Sequence, residues 1–248
     1  FPYTTLFRSD SGSYASSTAY LTGMAAVKAC EAMREKIMEK GAEYLERSVD
    51  EVDFDGSQVF SRDGSSAIRL KDIGNRVMCN NGKALEVTTS HSSPVSPPPF
   101  MVGMAEIEMD METYEYELID FVAVVDCGTP INPNLVRVQT EGGLGQGIGM
   151  AMFEDVTRSQ KGRVFENSFM QYKLPTRMDV GHLQVEFESS YEPTGPFGVK
   201  SIGEVVINTP SPAIAGAVAN ASGVWIRELP ITAEKIFTEM KEKKKAVN

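Results

Sequence analysis

The chain has 248 residues, of which 42% are hydrophobic and 23% are charged, and its formal net charge is −10. These values are typical of a folded globular protein and argue against a disordered chain. They also argue against a nucleic-acid partner, because binding to phosphates needs clustered Lys and Arg side chains.

The first nine residues read FPYTTLFRS, which resembles a translated sequencing adapter rather than evolved sequence. We therefore treat residues 1–9 as a non-native segment and residues 10–248 as the native part, and we leave the former out of the fold prediction. On this interpretation, an upstream part of the protein is missing from the chain.

Apolar residues recur at three- and four-residue steps from Tyr20 to Met38, a pattern that predicts an amphipathic helix packed on a core. Hydroxyl side chains just before it offer an N-cap, and Gly41 is expected to weaken its end. Short apolar runs between residues 49 and 85 give no clear assignment. The four prolines of SHSSPVSPPP, residues 90–99, predict a loop.

Residues 101–126 have the apolar pattern of two strands, which we expect to be joined near Met111–Thr113. Tyr114 is expected at the left-handed position of that turn, at some strain. Further elements are predicted in the C-terminal half: strands near Val164–Tyr172 and Leu183–Glu188, and helices near Pro212–Asn220 and Thr232–Lys243. Because helices and strands mix without a βαβ repeat, the predicted class is α+β, with mixed sheets and packed helices.

Cysteine and histidine are scarce. Cys30, Cys79 and Cys127 lie far apart and form no CxxC pair, which is typical of a reducing compartment and predicts a cytoplasmic protein. The count also argues against an iron–sulfur cluster built from this chain alone, since such clusters usually take four thiolates.

No run of 18 apolar residues occurs, so no membrane span is predicted.

Small and hydroxylated residues precede the first predicted helix in DSGSYASSTAYLTG, Asp10–Gly23. Backbone N–H groups at a helix N-terminus, together with Ser and Thr hydroxyls, form a ready site for an anion such as a phosphate. Ordinary capping of the helix explains the same residues without any ligand, and the pattern alone leaves both interpretations open.

A second segment, Val124–Asp155, carries five glycines in its helix-forming part, residues 141–155: Gly142, Gly143, Gly145, Gly147 and Gly149. They contain no G-x-G-x-x-G, so a dinucleotide fingerprint is not indicated. Because each glycine inside a helix costs about 1 kcal/mol relative to Ala, five of them indicate close approach of the backbone to a ligand or to another helix.

A third segment, Glu192–Gly223, carries Glu204 between Gly203 and the apolar pair Val205–Val206, with Lys200 four residues earlier. Burial raises the pKa of a carboxyl group and a nearby cation lowers it, and this balance can tune a general base. A purely structural ion pair between Lys200 and Glu204 is the alternative.

Together the three segments resemble the molybdenum-binding large subunit of the xanthine dehydrogenase and aldehyde oxidase family, in the family's order, and the chain looks like a C-terminal fragment of it. GVKSIGE, Gly198–Glu204, resembles the family's loop that ends in the glutamate beside molybdenum, and Gln139 the glutamine that binds the pterin. The resemblance implies cofactor contacts from Gln139, Lys200, Ser201, Gly203 and the loop residues Gly12, Ser13, Tyr14, Ala15, Ser16, Ser17 and Thr18.

The resemblance also implies the chemistry. Glu204 would be the catalytic base of a hydroxylase that inserts a water-derived oxygen at an electron-poor carbon of a purine-type N-heterocycle. The cofactor would be molybdenum-molybdopterin in its cytosine dinucleotide form, with the metal held by the pterin dithiolene and not by protein side chains. Iron–sulfur and FAD groups would lie on partner subunits, and the chain alone is expected to be inactive without its upstream half.

Three alternatives stay open at this point. The same family contains aldehyde oxidoreductases, and the residues of this chain do not separate them from purine hydroxylases. A non-catalytic module that makes subunit contacts without a cofactor would also retain the fold. A phosphate-binding module unrelated to molybdenum would explain the Ser-rich loop but neither of the other two segments.

Overall fold

The computed structural model describes residues 12–247, and the chain divides into two compact units. Within the described residues, one unit comprises Ala19–Pro94, and the other comprises residues 12–18 together with residues 95–247. Each contains a three-stranded sheet and packed helices, so the predicted α+β class is confirmed. The predicted non-native segment, residues 1–9, lies outside the described residues. Across residues 12–247, no helix is both long and apolar enough to cross a bilayer.

The smaller unit contains a three-stranded antiparallel sheet and two helices. Its elements are α1 (Thr18–Leu45), β1 (Val52–Phe54), β2 (Gln58–Ser61), β3 (Ala67–Arg69) and α2 (Leu70–Asn81), with α1 beginning at the boundary between the units. Val52, Val59 and Ile73 are fully buried between them. The predicted first helix is confirmed, whereas α2 was not predicted.

Gly41 does not weaken the end of α1, and that expectation was wrong. The helix continues through it to Leu45, and Gly41 is buried. A Cβ atom at this position would lie 2.6 Å from the Cβ of Val59. The glycine is therefore required for the close approach of α1 to strand β2, and the resulting burial of apolar side chains outweighs its low helix propensity.

The larger unit is built around a mixed sheet in the order β4-β5-β6, where β4 and β5 are antiparallel and β5 and β6 parallel. Its strands are β4 (Phe100–Met109), β5 (Tyr116–Asp126) and β6 (His182–Phe187). Its helices are α3 (Pro133–Met152), α4 (Val205–Asn208), α5 (Pro210–Ser222) and α6 (Ala233–Val247), with short 3-10 turns at Tyr14–Ser16 and Pro196–Gly198.

The predicted β4–β5 hairpin is confirmed, including its strained turn. Tyr114 has a φ of 62°, as expected of a residue in the left-handed position. The Asp110 carboxylate accepts hydrogen bonds from the backbone N–H groups of Glu112 and Thr113, which stabilises the turn. The strand predicted near Val164–Tyr172 was wrong, because only an isolated bridge from Arg158 to Val164 forms there.

The core of the larger unit lies between the sheet and helices α3, α5 and α6. Alternate residues of β5 point into it, and Phe121 and Val125 are fully buried. Helices α3, α5 and α6 contribute the fully buried side chains Leu144, Ile214 and Ile236. Full burial of each such side chain contributes on the order of 1.5–3 kcal/mol. This core fixes β5 and the second half of α3 relative to each other.

Four of the five glycines of α3 fall into two classes. A Cβ atom on Gly143 would overlap Val206, and one on Gly147 would lie 2.6 Å from the Cγ of Pro210. These two glycines therefore allow α4 and α5 to pack closely on α3. Gly142 and Gly145, by contrast, face open space. Helix packing thus explains two of the five glycines, and the fifth, Gly149, packs against Glu154 and Pro175 instead.

Adjacent alanine substitutions in α3 test this division. Gly142→Ala should raise the free energy of unfolding by about 0.5–1 kcal/mol, because it removes a helical glycine and adds no contact. Gly143→Ala should lower it by about 1–3 kcal/mol, because the added methyl group must displace Val206. Urea unfolding followed by circular dichroism measures both. Shifts of the two variants in the same direction would contradict the packing assigned to this helix.

Candidate functional site

The loop before α1 has an unusual backbone. Ala15 and Ser16 are consecutive non-glycine residues with φ angles of 50° and 54°. Left-handed backbone at such residues costs roughly 1–2 kcal/mol each and persists only where the surroundings fix it. The loop begins at Gly12, whose φ is 112°, and its first residues are exposed. Its N–H groups and hydroxyls are thus held in a conformation that a simple helix cap does not require.

The three sequence segments meet at Gly203. A Cβ atom built on Gly203 would lie 2.5 Å from the Oγ of Ser16 and 3.8 Å from the Nε2 of Gln139. The Ser-rich loop, the start of the glycine-rich helix and the GVKSIGE loop therefore approach one point, although they are far apart in the sequence. Only a glycine fits there without moving Ser16. We call the surface formed by Ser16, Gln139 and Gly203 the convergence point.

The side chains at the convergence point are suited to hydrogen bonding. Gln139 is exposed, and within residues 12–247 its amide makes no hydrogen bond. Across the same residues, no three His, Cys, Asp or Glu side chains gather in a way that could hold a metal ion. The site thus offers an amide, hydroxyls and backbone N–H groups, which suit a polar heterocyclic ligand or a phosphate.

Glu204 directly follows the convergence point. It occupies the residue before α4, and its side chain makes no capping hydrogen bond. Its carboxylate is exposed and, among the described residues, has no hydrogen-bond or ion-pair partner. The carboxylate oxygens are therefore free to accept a proton or a hydrogen bond from a ligand.

Lys200 does not pair with Glu204, so the ion pair considered from their spacing was wrong. Its Nζ lies 2.7 Å from Oδ2 of Asp126, and only 9% of the Lys200 side chain is exposed. The same ammonium group lies 5.4 Å from the ring centroid of Phe100. Because its side chain is used inside the fold, a contact of Lys200 with a cofactor stays a prediction, as does that of Ser201.

The GVKSIGE loop is attached to the end of β5 by its backbone. The N–H of Lys200 donates to the carbonyl of Cys127 at 2.7 Å, and the N–H of Thr129 donates to the carbonyl of Gly198 at 2.8 Å. Gly128 has a φ of 70°, and a Cβ atom there would overlap the carbonyl of Gly198. This approach between the two segments requires a glycine at position 128.

The Asp126 carboxylate is held in its ionised form. Burial acts to raise its pKa, but hydrogen bonds from Lys200, Ser190 and the N–H of Gly128 outweigh burial and hold the pKa below its usual value. Because the pKa is lowered on folding, the resulting stabilisation is present above the unfolded-state pKa and is lost as the pH falls through the folded-state pKa.

Two residues of this region were missed in the sequence. Asp126 lies in the second segment but was not singled out there, and Ser190 lies outside all three segments. Their side chains meet only in the folded chain, at 2.6 Å. The available signal for Asp126 was a carboxylate directly after the apolar run of β5 and before Cys-Gly. Such a position at the end of a buried strand often carries a functional or anchoring side chain.

Comparison with known proteins matches most of the chain to one family. Residues 3–181 match the family model described as the molybdopterin cofactor-binding domain. The chain is 34% identical over 238 residues to the probable hypoxanthine oxidase XdhD of Escherichia coli strain K12, which covers 94% of this chain and 24% of that protein. It is 30% identical over 235 residues to the xanthine dehydrogenase molybdenum-binding subunit of Escherichia coli O157:H7. That match covers 93% of this chain and 31% of that subunit.

A solved structure shows the same fold. The crystal structure of quinoline 2-oxidoreductase from Pseudomonas putida 86 superposes with a TM-score of 0.78 and 25% sequence identity, over 92% of this chain and 30% of that one. The chain thus spans about a quarter to a third of the length of these relatives. The resemblance found in the sequence motifs is confirmed, and the chain belongs to the molybdopterin cofactor-binding domain family.

Proposed function

We propose that this chain forms the part of a molybdenum hydroxylase subunit that binds the cofactor and supplies the catalytic base. The observation that carries the proposal is the convergence point, where Ser16, Gln139 and Gly203 meet beside the free carboxylate of Glu204. Three segments that are far apart in the sequence come together there, in a chain of the molybdopterin cofactor-binding domain family.

The cofactor contacts follow from the available hydrogen-bonding groups. The exposed amide of Gln139 can both donate to and accept from the polar edge of a pterin. The N–H groups and hydroxyls of residues 12–18 suit the phosphate-bearing part, which we propose to be the cytosine dinucleotide form. Gly203 allows the GVKSIGE loop to approach Ser16 closely, which brings the loop next to that contact. When bound, the cofactor would supply the oxygen-transfer centre and take up the two electrons removed from the substrate.

Glu204 acts as the general base in this proposal. Hydroxylation converts a substrate C–H and a water molecule into C–OH, two protons and two electrons, so a proton acceptor is needed at the reacting oxygen. The free Glu204 carboxylate can accept that proton at either Oε atom. A positioned general base typically accelerates such a step 10²–10⁴-fold.

A purine-type N-heterocycle is the proposed substrate class. The matched proteins include a probable hypoxanthine oxidase and a xanthine dehydrogenase subunit, and the superposed structure is a quinoline oxidoreductase. All three names refer to nitrogen heterocycles with electron-poor carbons, which are the carbons that a nucleophilic oxygen attacks. An aldehyde substrate remains the alternative within the family.

The remainder of the subunit is the first proposed partner. One face of strand β4 leaves Phe100, Val102 and Met104 between 60% and 64% exposed, and the neighbouring Val124 is 40% exposed. An apolar row of this kind is typical of a surface that another part of a protein covers. Iron–sulfur and FAD subunits would then carry the electrons onward, in a complex that we place in the cytoplasm.

Replacement of the base tests the proposed function. The chain is co-expressed with the upstream half of its subunit and with iron–sulfur and flavin subunits, in cells supplied with molybdate. Glu204→Gln should retain near-stoichiometric molybdenum and lose purine hydroxylation by roughly 10²–10⁴-fold, because the amide cannot accept the proton. Glu239→Gln, at a solvent-exposed position on α6, is the matched control and should retain activity.

Three outcomes of that experiment would contradict separate parts of the proposal. A well-folded complex without molybdenum would contradict the cofactor assignment and favour a non-catalytic subunit-contact module. Molybdenum with full activity in Glu204→Gln would contradict the role of the base. Oxidation of aldehydes but not of purines would replace the proposed substrate class with the alternative.

A second prediction concerns the convergence point. Gly203→Ala places a methyl group 2.5 Å from the Oγ of Ser16, so it should lower the molybdenum and pterin content of the purified complex by roughly tenfold or more, as expected for an overpacking penalty of 1–3 kcal/mol. Ser16→Gly removes the opposing side chain and suits the local φ of 54°, so the double variant should recover part of the loss.

Gly216→Ala on α5 is the control, because a Cβ atom there meets nothing within 4 Å. Metal content is measured by mass spectrometry and pterin by fluorescence after oxidation. Equal cofactor content in Gly203→Ala and Gly216→Ala would show that the convergence point does not contact the cofactor.

A further inference from the structure

We infer that Asp126 is a positioning residue, which holds the Glu204-bearing loop in place through its ion pair with Lys200. The inference rests on the proposed function, because the position of the loop matters for catalysis only if Glu204 is the base. It assigns to Lys200 an anchoring role within the chain, in place of a side-chain contact with the cofactor.

Three contacts inside the fold hold the Asp126 carboxylate. The Asp126 side chain is 18% exposed, and its Oδ2 binds Lys200 while its Oδ1 accepts from the Oγ of Ser190 at 2.6 Å and from the N–H of Gly128 at 3.0 Å. Both carboxylate oxygens are therefore occupied. Because Asp126 is the last residue of β5, the core of the larger unit fixes this carboxylate.

In the segment that leads to Glu204, Lys200 is the last residue that makes hydrogen bonds to β5 and the residue after it. Its backbone N–H binds Cys127 and its ammonium group binds Asp126. Residues 201–203 make no hydrogen bond to the rest of the described chain. Between Lys200 and Glu204, only the side chain of Ile202 packs against buried residues, next to Val125, Cys127 and Val206. Glu204 therefore lies between two fixed points, the Lys200 anchor on one side and α4, with its fully buried Val206, on the other.

The pair differs from the surface ion pairs of the same chain. Lys245 and Glu242 are at a comparable distance of 2.6 Å, but each side chain is 61% exposed. Exposed pairs contribute little, since water screens both charges. A largely buried pair such as Lys200–Asp126 becomes strongly unfavourable when one partner is removed, because the remaining charge is left without compensation.

Hydrogen exchange on the 248-residue chain tests the anchoring role without any cofactor. Lys200→Met or Asp126→Asn should accelerate exchange of the amides of Gly198, Val199 and Lys200 roughly ten- to a hundredfold, with amides of α3 and α5 unchanged. The double variant leaves no unpaired charge and should recover part of the protection. Lys200→Arg retains the charge and should stay within about threefold of the parent chain, and Lys245→Met is the exposed-pair control.

Catalysis in the assembled, molybdenum-loaded complex provides the second readout. A displaced base should lower kcat by tenfold or more in Asp126→Asn, with KM changed by less than threefold, since loss of a catalytic contact acts on the transition state. Lys200→Met should lower kcat in the same way, and Lys200→Arg, which retains the positive charge, should recover most of that loss. If the complex holds no molybdenum, the proposed function fails while the exchange result still stands for the anchor.

Two results would overturn the inference. Unchanged exchange at residues 198–200 in both single variants would show that the pair does not hold the loop. Faster exchange throughout the larger unit, to the same extent as in the loop, would show that the pair stabilises the unit as a whole. If a single variant does not fold, the double variant and Lys200→Arg still decide between these results.

Discussion

The arrangement of this site depends on the attachment of the GVKSIGE loop to the C-terminal end of β5. Two backbone hydrogen bonds, the approach of Gly128 to Gly198, and the buried Lys200–Asp126 pair act at the same place. None of them would hold the loop firmly alone, because the loop is otherwise irregular. Together they connect the central strand of the larger unit's sheet to the carboxylate that we propose as the base.

The rest of the site follows from that attachment. Once the loop is fixed, Gly203 faces Ser16 and Gln139, which α3 and the strained Ser-rich turn hold from two other directions. The glycines of α3 serve this arrangement in two ways: Gly143 and Gly147 admit α4 and α5, while Gly142 and Gly145 leave one face of the helix bare beside Gln139. The fold therefore supplies position and access, and the cofactor would supply the reaction.

Local sequence signals predicted much of the fold, and long-range partners explain what they missed. Periodicity identified α1, helices were also predicted near α5 and α6, and the apolar strand pattern identified the hairpin with Tyr114 in its turn. Helix α2 was missed because it is short and contains Gly74 and several asparagines, so that only tertiary burial of Ile73 and Val77 stabilises it. The segment near Val164–Tyr172 has strand-like residues but no neighbouring strand to pair with. Spacing suggested Glu204 as the partner of Lys200, yet the chain is not helical there and the true partner lies 74 residues away.

An experimental structure of the molybdenum-loaded subunit tests the central claim most directly, since that claim is a statement about position. We predict density for the pterin within hydrogen-bonding distance of the Gln139 amide, its phosphate-bearing part against residues 12–18, and the Glu204 carboxylate facing the metal. A cofactor bound elsewhere, with Ser16, Gln139 and Gly203 still in mutual contact but touching only protein or solvent, would contradict the account.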